Sequence, residues 1–411
     1  MVLTESPYLS ESSWTLRTSN VSSNAYILSI SSLPRHYAAS TSAPSNVIEI
    51  FDKSTLQRIQ SLPGHESAAT TSLHAVNTIA GIPKKSLISS GKDGSVKVWD
   101  DRSNSHSIKM TNLGKPHALL CCAVSPDGYT VAAGTDLQSD DALILYWDPR
   151  QPATPLRTHG STHSDDITAL DFNESGTLIL SASSDGLVST SNPTEDDEDE
   201  AVVGVGNWGC SVSQAGWITG GRNGSGEAAL WAASDMETFS TWSEEFDRLM
   251  SLDIREPSVH TQQRTWVTDY LVTCDAKRGV LNVFTGSNEG DIALLTNSNP
   301  SVDDAPWTLH NLWMTGHVGV VRSLLYDEEE NVLVTGGEDG KLNVWSWPSS
   351  FVGHEGDENM DVDVPAPSHR PVFSPPKKRR ERDVSPSGGG DGRGDSEDYL
   401  NGEEGVKRAR R

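Results

Sequence analysis

The sequence predicts an all-β fold, a seven-bladed propeller followed by a disordered C-terminal tail. Three observations carry this expectation. A turn-and-strand motif recurs: GKDGSVKVW at 91–99 returns as GEDGKLNVW at 337–345, with weaker echoes at 183–191, 223–231 and 287–295. Aligned on the turn, Phe51, Trp99, Trp147, Ser191, Trp231, Leu295 and Trp345 fall at one position, separated by 48, 48, 44, 40, 64 and 50 residues. A period of about 40–50 residues is that of propeller blades. Finally, short runs rich in Val, Leu and Ile alternate with Gly/Asp/Asn clusters, and nowhere is a helical period sustained.

The chain divides in order. Residues 1–24 form an N-terminal segment; within it SWTLRTS, 13–19, is expected to supply the strand that the last unit lacks. Residues 25–351 form the propeller. Its last unit shows the internal grammar: strand at 320–325, turn at DEEEN, strand at 332–335, turn at 338–340 and strand at 341–345, then a stop at Trp347-Pro348 after three strands. Pairing that blade with the N-terminal strand closes the ring and hides its edge. The boundaries of units 1, 5 and 6 are the least defined. Residues 352–411 are rich in Gly, Pro, Ser and charge, a composition that cannot bury a core.

Gly64-His65 followed by Trp99-Asp100, and Gly316-His317 followed by Trp345, resemble the WD-repeat β-propeller family. The resemblance implies a buried network of His, Ser/Thr, Asp and Trp in each complete blade. It assigns His65, Ser89, Asp93 and Trp99 to the second blade and His317, Thr335, Asp339 and Trp345 to the seventh. The fourth keeps His163, Ser181 and Asp185 but has Ser191 where Trp is expected. The third offers Trp147-Asp148 with the acidic insertion DLQSDD. Closed networks of this kind satisfy buried polar groups and fix strand register. A narrower resemblance, through SSDGLV, the acidic loop, Gly216-Trp217 and TGGEDGKL, is to the WD repeat-containing protein 89 group.

Composition bounds the partner class. The net charge is −25, and the last sixty residues hold 13 acidic and 11 basic side chains, leaving −23 on the rest. Such a body repels phosphate backbones and attracts basic protein segments. Cys121, Cys122, Cys210 and Cys274 form no C-x-x-C pair and no zinc spacing, which suits a reducing compartment. The start lacks the basic and apolar regions of a secretory signal, and the longest apolar run, 118–124, is far too short to span a membrane. A soluble intracellular protein is expected.

Catalytic motifs are absent from the sequence, and no cofactor or metal is expected. GSGEAA at 224–229 matches a dinucleotide fingerprint formally, but it runs toward a strand ending at Trp231 rather than into a helix. His117 with Cys121 and Cys122 suggests metal ligands, yet adjacent strand residues point to opposite faces, which favours core packing.

Three further features bear on partners. The block PTEDDEDE, 193–200, reads as a solvated loop between the fourth and fifth units, with a landing strip for basic peptides as the alternative. In the tail, Lys377, Lys378, Arg379, Arg380 and Arg382 form an import-like basic run; Ser374-Pro375 precedes it as a candidate phosphorylation site that would add charge beside it. The acidic body favours import over nucleic-acid contact, so the nucleus, shared with the cytoplasm, is the expected location. Lastly, Trp99-Asp100-Asp101-Arg102 and Trp147-Asp148-Pro149-Arg150 carry W-D-x-R in consecutive units. The pattern resembles the adaptor-docking box of cullin-4 ubiquitin-ligase substrate receptors, with rim pairing to Asp as the plainer reading. The function expected is a non-catalytic, nuclear protein-interaction scaffold whose acidic propeller binds protein partners, basic ones among them. The alternative is a ligase substrate receptor.

Overall fold

The computed structural model describes residues 3–65, 68–100, 102–112, 117–138, 142–220, 227–256, 258–260 and 265–348. Among the described residues seven blade sheets follow one another in chain order around a ring, and a two-stranded hairpin, Ser258–His260 with Thr265–Val267, lies between the fifth and sixth in sequence. Blade 1 comprises Ile27–Ser32, His36–Thr41, Ile48–Asp52 and Arg58–Leu62; blade 2, Thr70–Val76, Ser86–Gly91, Ser95–Trp99 and His106–Thr111. Blade 3 comprises Leu119–Val124, Val131–Thr135, Ala142–Trp147 and Arg157–His163; blade 4, Ile167–Phe172, Ile179–Ser183, Leu187–Ser191 and Val202–Asn207. Blade 5 comprises Val212–Trp217, Leu230–Ser234, Thr238–Trp242 and Arg248–Asp253; blade 6, Tyr270–Lys277, Val280–Gly286, Ile292–Asn297 and Trp307–Trp313. Val321–Asp327, Val332–Gly337 and Lys341–Ser346 belong to blade 7. The first strand of each blade is innermost. We term the end at which these strands begin the upper face and the other end the lower face.

The N-terminal segment makes two additions. Arg17–Asn20 pairs antiparallel with Lys341–Ser346 and gives blade 7 its fourth strand. Leu16 N–H donates to Val344 O and Val21 N–H to Gly340 O, so pairing extends past both ends of the strand. The sequence did not indicate the second addition: Leu3–Ser12 runs parallel to Trp307–Trp313 as a fifth strand on blade 6. Its polar, Pro-containing sequence lacks strand alternation, and it bulges between Glu5 and Ser10.

Each blade is a small sheet with two faces to bury, and the apolar residues meet in seven clusters, one per seam between neighbours. The aromatic residue near the end of a third strand packs back onto the preceding blade, as Trp99 does against blade 1 and Trp345 against blade 6. At the seam that closes the ring, Lys53 and Asp327 form a buried ion pair at 2.6 Å. Burial works against the Asp327 carboxylate, but Lys53 holds it below its ordinary range.

One unit assignment is corrected. Trp231 does not end a third strand: it lies on the second strand of blade 5, and the equivalent of Trp99 there is Trp242. With Trp242 in place, the separations from Ser191 and to Leu295 become 51 and 53 residues instead of 40 and 64. The strand after GSGEAA likewise runs on past Trp231 to Ser234.

Candidate functional site

The structure brings the buried network residues together. In blade 2, His65 Nδ1 lies 2.7 Å from Asp93 Oδ1 and Nε2 2.8 Å from Ser89 Oγ, while Trp99 Nε1–H donates to the same Oγ at 2.9 Å. Blade 7 repeats this with His317, Asp339, Thr335 and Trp345 at 3.0, 2.7 and 2.9 Å. Burial opposes the charge on Asp93, yet His65, Ser95 and Lys97 hold its carboxyl far below the usual range. Blade 4 keeps His163 with Asp185 at 3.3 Å and Ser181 at 2.8 Å. The fourth member is missing there, and the buried Ser191 hydroxyl has no partner among the described residues. In blade 3, Trp147 Nε1–H turns instead to the Thr111 carbonyl on blade 2. These networks are internal, so they build the platform rather than a working surface.

The two W-D-x-R turns sit on the lower face of adjacent blades. Arg102 folds back on Asp100, with Nε to Oδ1 at 3.0 Å and Nη2 to Oδ2 at 2.7 Å. Arg150 does the same with Asp148 at 2.8 and 2.6 Å and lies over the Tyr129 ring at 4.6 Å. Each arginine holds its aspartate well below the ordinary carboxylate range. The same fork recurs at Asp253 and Arg255, on the upper face and without a tryptophan. D-x-R is therefore a local turn device, and each arginine closes its own turn. Exposed pairs of this kind contribute about 0–1 kcal/mol. Their side chains remain 73% and 56% exposed, so they are also available at the surface.

The acidic block is not merely solvated. Its first half crosses back to blade 3, and residues Glu198–Ala201 form a single helical turn. Glu198 accepts the backbone N–H groups of Gly160, Ser161 and Thr162 at 2.8–2.9 Å and the Thr162 hydroxyl at 2.6 Å. Arg157 reaches Asp196 and the Pro193 carbonyl. The block thus stitches blade 4 to blade 3.

Cys121 Sγ lies 3.3 Å from Ile167 O in blade 4, whereas Cys122 Sγ meets Ser72 in blade 2, so the two thiols face opposite seams. Burial pushes the Cys122 thiol up to about 11. Near the lower mouth of the ring, Asp171 lines a cavity with Trp217, Cys274 and Lys277. Burial pushes its carboxyl up to about 6. No His, Cys, Asp and Glu group among the described residues is arranged to hold a metal ion. Ser374, Lys377, Lys378, Arg379, Arg380, Arg382 and the disordered-tail reading of 352–411 lie outside the described residues.

Seven blades of four or five strands make a β-propeller, with complete His–Asp–Ser/Thr–Trp networks in blades 2 and 7. The WD domain, G-beta repeat family matches residues 56–100, 109–148, 153–189 and 308–346, and the chain carries WD40 repeats in those four stretches. It is 25% identical over 331 residues to a WD repeat-containing protein 89 homolog of Dictyostelium discoideum, covering 78% of this chain and 82% of that one. An uncharacterized WD repeat-containing protein of Saccharomyces cerevisiae is 28% identical over 324 residues, 74% of this chain and 75% of its own. A chain in the crystal structure of the mitotic checkpoint complex superposes with a TM-score of 0.59 at 14% identity, covering 84% of this chain and 98% of that one. That likeness concerns the fold.

Proposed function

We propose that this propeller is a non-catalytic scaffold that binds basic protein partners on its acidic upper face, and that it does so in the nucleus. WD40 propellers typically serve as protein-interaction platforms, which supports the scaffold reading. The observation that carries the finer reading is a charge asymmetry. Among the described residues, the upper-face connections of blades 3 to 7 hold Asp136, Asp165, Asp166, Asp235, Glu237, Glu256, Asp269, Glu289, Asp291 and Glu338 against Arg255. The connection between the second and third strands of blade 1, residues 42–47, holds no charged residue. A crescent of one sign raises the local concentration of oppositely charged segments and speeds their association. The test is titration of a fluorescent Lys/Arg-rich peptide into the full chain at rising salt. Affinity should fall steeply with salt and drop further in Asp165→Lys/Asp166→Lys/Asp235→Lys; salt-independent binding would overturn the reading.

Nuclear entry is assigned to Lys377, Lys378, Arg379, Arg380 and Arg382. Replacing all five with alanine should leave a fluorescent fusion outside the nucleus, and unchanged nuclear accumulation would remove the assignment. A second reading, docking of a cullin-ligase adaptor, is favoured by one observation: the exposed Arg102 and Arg150 share the lower face of adjacent blades with exposed Tyr129 and Ile82. Arginine and tyrosine are enriched at interface hot spots. Adaptor binding that survives Arg102→Ala/Arg150→Ala would exclude that mechanism.

A further inference from the structure

The outer strand of a propeller blade is a sheet edge, and soluble proteins guard such edges with charge, proline or a covering segment. Here the outer strands of blades 1, 2, 3, 5 and 7 contain Arg58, Lys109, Arg157, Arg248 and Arg17, and blade 6 is covered by Leu3–Ser12. Blade 4 is different. Its outer strand, Val202–Asn207, reads VVGVGN, with neither charge nor proline. Val203 is 63% exposed and Val205 47%.

The backbone along this edge is oriented for pairing. Trp208 N–H donates to Gly186 O, and Gly206 and Gly204 stand opposite Val188 and Thr190. Antiparallel alternation then turns the amide and carbonyl of Val205 outward, away from the blade. A bulge between Gly204 and Val202 lies at the start of the strand, leaving Gly204–Asn207 in regular register. Directly before the strand stand the exposed Asp196, Asp197, Asp199 and Glu200, beside a Glu198 already committed to blade 3.

We propose that Val202–Asn207 is a docking edge that takes up an extended segment of a partner protein as a fifth strand. The segment carries β-branched residues at alternate positions and Lys or Arg at the end that lies against Asp196–Glu200. Main-chain bonds along the edge supply affinity; Val203, Val205 and the acidic end supply selectivity. Blade 6 already accommodates a fifth strand in this molecule. The docking edge is separate from the acidic upper face, so either can fail without the other.

The test titrates a fluorescein-labelled peptide, KRKVTVTV, into the full chain and follows amide hydrogen exchange over 203–207. Saturable binding should slow exchange at those amides, and Val203→Lys/Val205→Lys should weaken binding by about tenfold or more. Both valines are exposed, so the variant should melt with the parent. Asp199→Lys/Glu200→Lys should also weaken binding and flatten its salt dependence. Three results would overturn the proposal. One is equal binding of a peptide with proline in place of two valines, which would leave charge alone holding it. Another is an affinity untouched by the double valine substitution. The third is self-association of the full chain that Val203→Lys/Val205→Lys abolishes, which would make a second copy the occupant.

Discussion

The seam between blades 1 and 2 and the seam between blades 3 and 4 begin from the same parts and finish differently. Both place a histidine between an aspartate and a serine. In the first, Trp99 closes the network and fills the seam with a fully buried indole. In the second, Ser191 supplies no indole to close the network, and polar groups at the rim hold the blades instead. Glu198 gathers three backbone amides of blade 3, Arg157 reaches Asp196, and His159 Nε2 contacts the Glu195 carbonyl. A repeat can therefore lose its signature aromatic and keep its place in the ring, provided a neighbouring loop takes over the cross-blade contacts.

The largest blow to this comparison should come from Trp99→Ser, which makes the first seam resemble the second without the compensating loop. Loss of a buried indole costs about 3–5 kcal/mol, and chemical denaturation should show it as a lowered midpoint. Glu198→Gln comes next. Its carbonyl oxygen cannot replace both carboxylate oxygens, and a single hydrogen bond to a charged group is worth about 1.5–3 kcal/mol, so the denaturation midpoint should fall. Burial opposes the Glu198 charge, but Thr162, Gly160 and Ser161 hold the carboxyl below its ordinary 4.5. Its contribution is thus present above pH 4.5 and lost as pH falls through the folded value, so parent and variant should converge in acid.

How much of this was legible follows from where the signals lie. Gly94 and Gly340 take positive φ in the turns before their third strands, and Asp93 and Asp339 precede them. D-G there announces blades 2 and 7 outright. In blade 5 the same turn reads Asp235-Met236-Glu237, with Glu237 itself at φ 62°. A glycine-based alignment passes over it and settles on Trp231, whose ring instead stacks on Phe239 at 5.9 Å within the seam to blade 6. Leu3–Ser12 was illegible because an edge strand with one partner and little burial needs no apolar alternation. The role of Glu198 was hidden because a run of acids says nothing of which one meets three amides. In the W-D-x-R turns both the motif and the plainer reading, pairing of each arginine with its aspartate, were legible, because the two residues stand two apart in one turn.

Asp171 gives a response of opposite sign to that of Glu198. Burial raises its carboxyl to about 6, so the neutral form is favoured in the fold. The stability this confers is complete below pH 3.8 and lost as pH rises through 6. Asp171→Asn should match the parent near pH 4 and exceed it at pH 8 by about 2 kcal/mol, read from denaturation midpoints at both values. Ser191→Ala should have the smallest effect. It removes a buried hydroxyl that has no partner among the described residues, so a change within about 1 kcal/mol, toward greater stability, is expected in the same assay.

The ring closes by pairing Arg17–Asn20 with a strand that begins at Lys341. During synthesis Arg17–Asn20 is made long before its partner Lys341–Ser346. At about 5–20 residues per second, the ribosome leaves the early strand waiting roughly 15–65 s before its mate exists. For that interval the nascent chain is an open string of blades with blade 1 lacking its neighbour. Whatever shields that exposed flank, whether a chaperone or premature stacking of the blades already made, acts on every molecule before the scaffold can exist.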